Sequence, residues 1–251
     1  SKGGIGKTSF TASLAMELSS QGKKIVAVDA DFGDPDLKDW LGIKEPKVTL
    51  DHFFKQHVAS LNELVLDSPI QNLQVICGDS QSMETSYPFY GLRLRFLKQL
   101  KNLNSDYTLL DLGPGISYNN IDNFLAADER ILVMVPEPSS IISAFRFLRI
   151  AVLRHLKKSV RGYSSIIELI NQYETPEWHN KFASISPLVK RVERINVEAA
   201  ERLKRALLTF NTKIVLNMVM SNKEIIEGPL FTHALFYLLR VKANFLGPVS
   251  Y

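Results

Sequence analysis

Ser1-Lys2-Gly3-Gly4-Ile5-Gly6-Lys7-Thr8-Ser9 puts glycines, two lysines and hydroxyls into nine residues. Gly6, Lys7 and Thr8 satisfy the end of a Gly-x-x-x-x-Gly-Lys-[Ser/Thr] pattern, while Ser1 stands where the first glycine belongs. Such a run suits a triphosphate. Glycines let backbone N–H groups approach phosphate oxygens with no Cβ in the way. Lys7 is placed to reach the β- and γ-phosphates, and the Thr8 hydroxyl to bind Mg²⁺. Phe10, Leu14, Ala15 and Leu18 then follow at helical spacing. They predict a helix whose N-terminus points its partial positive charge at the anion. The other reading of Gly3, Gly4 and Gly6 is a flexible turn before a helix.

Two further acidic groups follow apolar runs. Ile25-Val26-Ala27-Val28 predicts a buried parallel strand, and Asp29-Ala30-Asp31 comes at its end. Carboxylates just past such a strand lie on the ligand side of an open α/β sheet. Asp34-Pro35-Asp36 is compatible with a plain acidic turn instead. Tyr107-Thr108-Leu109-Leu110 predicts a second buried strand, ending at Asp111 and followed by Gly113. This is the form of a Walker B strand, whose aspartate holds Mg²⁺ in P-loop ATPases, often through a water.

Lys2 narrows the reading. The Lys-Gly-Gly-x-Gly-Lys-Thr run resembles the deviant P-loop of the MinD/ParA family of ATPases. The Asp29-x-Asp31 pair, the Asp111-x-Gly113-x-Gly115 run and Ala127-Asp128-Glu129-Arg130-Ile131 resemble that family's segments in the family's order. So do Pro136-Glu137-Pro138-Ser139-Ser140 and Leu246-Gly247. The resemblance implies ATP and Mg²⁺ as ligands, with Gly3, Gly4, Ile5, Gly6, Lys7, Thr8 and Ser9 around the phosphates. It implies that Thr8, Asp29 and Asp111 form the Mg²⁺ shell, and that Asp31 positions or deprotonates the attacking water. It gives Asn217 a contact to adenine. It makes Lys2 a residue that crosses the interface of an ATP-bound homodimer to the partner's nucleotide. Lys2, Lys7 and Asp31 are then the catalytic set. Slow hydrolysis is expected, since a switch needs a long-lived bound state.

The elements that must position these residues predict a doubly wound α/β fold, a mainly parallel sheet flanked by helices, of the P-loop NTPase, SIMIBI-like kind. Further strands are expected at 73–78, 128–136, 213–219 and 245–251, and helices at 92–103, near 121–127, from 141 and at 230–241. Short helices fill 37–70. His52 and His57, five residues apart, are not expected to share a helix face. A P-loop follows a core strand, so a strand upstream of Ser1 is expected. The chain of 251 residues reads as a single ATPase domain with a helical insertion at about 150–210.

Hydrophobic residues make up 45% and charged residues 22%, enough to bury a core and unlike a disordered chain. Cys77 is the lone cysteine, so no internal disulfide forms, which fits a reducing cytosol. It also excludes the cluster-binding relatives that need cysteine pairs. No apolar run is long enough to span a bilayer. Between residues 146 and 205 there are 13 Lys and Arg against 6 Glu and no Asp, although the whole chain carries only +4. Arg154-His155-Leu156-Lys157-Lys158 and Lys190-Arg191-Val192-Glu193-Arg194 are its basic clusters. Three uses are open: a solvated helical face, a nonspecific DNA surface, or a site for a protein partner or an anionic membrane. The function expected is a MinD/FlhG-type switch acting through partner proteins, cytoplasmic or peripheral at the inner membrane. The alternative is a ParA-type partition ATPase on nonspecific DNA.

Overall fold

The computed structural model describes residues 3–78, 90–175 and 184–250. Ser1, Lys2, the loop expected over 79–89 and the Pro176-Glu177-Trp178-His179 part of the expected turn lie outside the described residues. The chain forms two compact units, one of residues 6–114 and one of residues 1–5 with 115–251.

In the first unit a four-stranded sheet has the order β2-β3-β1-β4, from β1 (Ile25–Ala30), β2 (Leu66–Asp67), β3 (Leu73–Ile76) and β4 (Tyr107–Leu112). β1 runs parallel to β3 and β4, while the short β2 is antiparallel to β3. Every residue of β1 is buried, because its apolar side chains leave alternately into two cores. Val26 and Val28 join Leu50, Phe53, Phe54 and Phe96, brought by α3 (Leu50–Phe54) and α4 (Tyr90–Leu100). Ile25 and Ala27 meet Ala12, Ala15, Leu37 and Leu41, brought by α1 (Lys7–Ser20) and α2 (Leu37–Trp40). On α1 the buried residues are the small ones, Ala12, Ala15 and Ser19. Met16 and Leu18 pack at the edge of that face, and its small side chains let the helix lie close to the sheet.

His52 and His57 do meet, with ring centroids 6.0 Å apart and edge-on. Helix α3 stops at Phe54, and Gln56 takes a left-handed φ of 61°. The chain doubles back there, and the His57 N–H donates to the His52 carbonyl at 2.8 Å. They meet through this turn and not on a shared helix face, since the second histidine lies beyond the helix.

In the second unit β5 (Ile131–Met134), β6 (Asn211–Val219) and β7 (Lys242–Ser250) are all parallel, in that order. The strands therefore form two hydrogen-bonded sheets, one mixed and one fully parallel, each with helices on it. The second unit's helices are α5 (Tyr118–Ala126), α6 (Pro138–Ser159), α7 (Ser164–Gln172), α8 (Ser186–Ile195), α9 (Val197–Thr209) and α10 (Glu227–Leu239). Helix α6 begins at Pro138, three residues before its expected start. Glu137 is its N-cap, and the Ser140 hydroxyl turns back to accept the Val135 N–H at 3.1 Å. The expected insertion boundary near 150 falls inside this one 22-residue helix. Helix α10 lies tightly on β7: a Cβ at Gly228 would come within 2.3 Å of the Phe245 ring.

Candidate functional site

Helix α1 starts at a glycine because its N-cap must turn left-handed. Gly6 has φ 77°, a conformation open to glycine at no steric cost. The Ser9 hydroxyl donates to the Gly6 carbonyl at 3.0 Å, and the Phe10 N–H does so at 3.0 Å. No side chain caps α1, which leaves its first N–H groups for a ligand.

Asp111 lies beside this helix start. It is buried, and its Oδ1 accepts the Thr11 hydroxyl at 3.0 Å. Burial raises its carboxyl above the ordinary range, against the pull of hydrogen bonds from Thr8 and Thr11 and the nearby Lys7 charge. Lys7, Thr8 and Asp111 thus converge, as their motif positions predict. Parallel pairing sets Asp29 of β1 opposite Asp111 of β4. Burial pushes the Asp29 carboxyl up to about 8, and the neighbouring Asp111 and Asp31 charges add to this. Both of its oxygens are engaged: Oδ1 accepts the Asp31 N–H and Oδ2 the Leu37 N–H, each at 3.1 Å. Asp29 therefore fixes the start of α2 as well as facing Asp111.

Asp31 closes a turn of its own. Its Oδ1 accepts the Gly33 N–H at 2.9 Å and the Asp34 N–H at 3.2 Å. Gly113 lies against it so closely that a Cβ there would come within 2.6 Å of Asp31 Oδ1. The glycine after the Asp111 strand is therefore the space in which the Asp31 carboxylate sits.

Among the described residues no three Asp, Glu, His or Cys side chains converge to hold a metal unaided. Mg²⁺ does not require that, because it commonly takes one or two protein groups with substrate phosphates and waters. A buried carboxylate bonded to the Thr8 hydroxyl, beside two further carboxylates, is a donor set that fits it.

The second unit holds the rest of the loop. The Asn217 Nδ2 donates to the Ile5 carbonyl at 2.9 Å, buried. This amide, which the resemblance assigns to adenine, thus also anchors the loop backbone. Gly4 is left-handed, φ 72°. Gly3, Gly4 and Ile5 line a cavity of about 260 Å³ with Pro136, Glu137 and Met218. Met218 is itself left-handed, φ 56°, where β6 shifts register against β7. Glu137 and Met218 were not among the expected site residues. The Pro-rich turn after β5 was the available signal for the first, and a register shift leaves no mark in sequence for the second. Lys2 lies outside the described residues.

A family model described as an AAA domain matches residues 1–161. The septum site-determining protein MinD of Buchnera aphidicola is 30% identical over 171 residues, 67% of this chain and 62% of that protein. The antiactivator FleN of Pseudomonas aeruginosa is 28% identical over 193 residues, 76% of this chain and 66% of that protein. The chain thus spans less than two thirds of the length of these curated relatives. In fold it resembles the Pyrococcus horikoshii MinD solved with Mg-ADP, at 19% identity and TM-score 0.61, over 99% of this chain and 77% of that one. The P-loop with its two lysines, the Asp111 strand and these matches together show that the chain belongs to the AAA-domain family so described, as a P-loop ATPase of the MinD/ParA type.

Proposed function

We propose that the chain binds and hydrolyses ATP and that its ATP-bound form is a homodimeric switch of the MinD/FlhG type, regulating or positioning a cellular structure through a partner protein. The observation that carries this is the convergence of Lys7, Thr8 and Asp111 at the uncapped start of α1, with Asp31 held against Gly113.

The glycine-rich loop and Lys7 bind the phosphates, and Asn217 contacts the base. The Thr8 hydroxyl and Asp111 hold Mg²⁺, with Asp29 behind them, and that ion supplies neutralisation of phosphate charge. Asp31 orients the water and accepts its proton as the water's oxygen bonds to the γ-phosphorus and the bond to the ADP oxygen breaks. Its own backbone turn keeps the carboxylate in one place. Lys2 reaches the partner subunit's nucleotide. Long-lived binding and slow turnover make the cycle a timer.

The test is ATP turnover with nucleotide affinity measured alongside. Lys7→Ala should lose ATP binding. Asp31→Asn should keep ATP affinity within a few fold and lose about a hundredfold or more in kcat. Equal turnover in Asp31→Asn and the wild type would remove Asp31 as the base.

A further inference from the structure

Helix α10 carries one formal charge, Glu227, and one histidine, His233, and is otherwise largely apolar. A helix apolar all round is ordinarily buried all round, but α10 buries only the face of Gly228, Phe231, Leu235 and Leu239. The opposite face is open. Ile226, Leu230, Phe236 and Tyr237 are 58%, 54%, 54% and 71% exposed, and Pro229, His233 and Arg240 are exposed with them. Helical spacing of three and four residues lines these side chains into one stripe, about 20 Å long. Arg240 ends the helix left-handed, φ 57°, yet stays with the stripe, its guanidinium 6.0 Å over the Tyr237 ring. Isolated exposed apolar residues need no explanation, but a contiguous apolar stripe marks an interaction surface.

The stripe reads the same in both directions. His233 is its midpoint. Leu230 and Phe236 lie three residues to either side, Pro229 and Tyr237 four, and Ile226 and Arg240 seven. Reversing the helix about His233 therefore sets a smaller apolar side chain against an aromatic one at two levels. It also brings Arg240 to the end that holds Ile226 and Glu227. Neither Glu227 nor Arg240 has an ion pair among the described residues. A neutral imidazole has one N–H and one acceptor nitrogen, so two facing His233 rings can hydrogen-bond.

We propose that this face of α10 docks antiparallel on the same face of a second copy of the chain, with His233 on the two-fold axis. Leu230 packs on Phe236 of the second copy, Pro229 on Tyr237 of the second copy, and Arg240 meets Glu227 of the second copy at both ends. The charges select this occupant. An anionic bilayer attracts Arg240 and repels Glu227, whereas a reversed copy matches both. One helix stripe is smaller than the ~800 Å² per partner of a standard interface, so the pairing is weak and concentration-dependent. It is separate from the ATP-dependent dimer and does not rest on that reading, because it uses none of the phosphate-site residues and needs no nucleotide.

The test is sedimentation with register-specific cross-linking. With ADP and Mg²⁺ the chain should be single in dilute solution and pair with a midpoint on the order of 100 µM. Lys2→Ala should leave that midpoint unchanged, which separates it from the nucleotide dimer. Phe236→Lys should raise it at least tenfold. Glu227→Arg and Arg240→Glu should each weaken pairing about threefold, and the double variant Glu227→Arg/Arg240→Glu should restore it. The native Cys77 is buried. Under mild oxidation His233→Cys should therefore cross-link to itself at least tenfold faster than Leu230→Cys or Phe236→Cys alone, while those two variants mixed should cross-link to each other. The cysteine variants read out if Phe236→Lys does not fold. A single mass at all concentrations overturns the proposal, as does cross-linking indifferent to position. A monomer that sediments with phosphatidylcholine vesicles also overturns it, in favour of a lipid-facing stripe.

Discussion

At neutral pH Asp29 keeps its proton in the folded chain, because burial has moved its carboxyl to about 8 from an ordinary 3.8. The unfolded chain releases that proton near 4. The contribution to stability is therefore fully present below about 4 and is lost as pH rises through 8. Without nucleotide or Mg²⁺, the urea midpoint should fall between pH 5 and pH 8, with Asp29 supplying up to about 1.4 kcal/mol per pH unit. Asp29→Asn should flatten that slope, and an unchanged slope would remove Asp29 as its source. Gly113→Ala puts a methyl into the space of the Asp31 carboxylate, within 2.6 Å of its oxygen. It should lower kcat by at least tenfold at nearly unchanged ATP affinity, read by turnover and nucleotide titration. The positions of Lys7, Thr8 and Asp111 were legible in sequence because a local turn and one strand register place all three. The second job of Asp29, holding the Leu37 N–H, was not legible, since it depends on where a loop returns.

Elements explain why one basic segment splits into two. Composition counts Arg154, Lys158, Lys190 and Arg194 alike. Packing does not, because Asp122 on the buried side of α5 faces α6 and takes both Arg154 and Lys158. Asp122→Ala leaves the half-buried Arg154 and the exposed Lys158 without that partner, and should cost about 2 kcal/mol in a denaturant titration, mostly through Arg154. The charge pattern of α6 alone could not show this, because the deciding carboxylate comes from another helix. Gly228 is a similar case. An isolated glycine in a helix reads as a weak point, yet here it is the contact that seats α10 on β7. Gly228→Ala should destabilise the chain by about 1–3 kcal/mol, seen as a lower melting temperature. Strand existence was well marked by runs such as Ile25-Val26-Ala27-Val28. Helix α6 was expected to start three residues late because Pro138 looks like a turn and is in fact a first-turn residue, where its missing N–H costs nothing.

Across the whole chain, the α/β class with mainly parallel strands was legible from the alternation of apolar runs and helical stretches. The order in which strands pair within each sheet was not, because hydrogen-bond neighbours are set by tertiary contacts that no local pattern records. The functional account also belongs to this scale, since a switch is a property of the assembled molecule in two nucleotide states. Sedimentation velocity on the Asp31→Asn variant tests it most directly, because blocked hydrolysis should trap the bound form. The account predicts a monomer with ADP and Mg²⁺ and a dimer with ATP and Mg²⁺, lost again when Lys2→Ala is added. One mass in both nucleotides would contradict it.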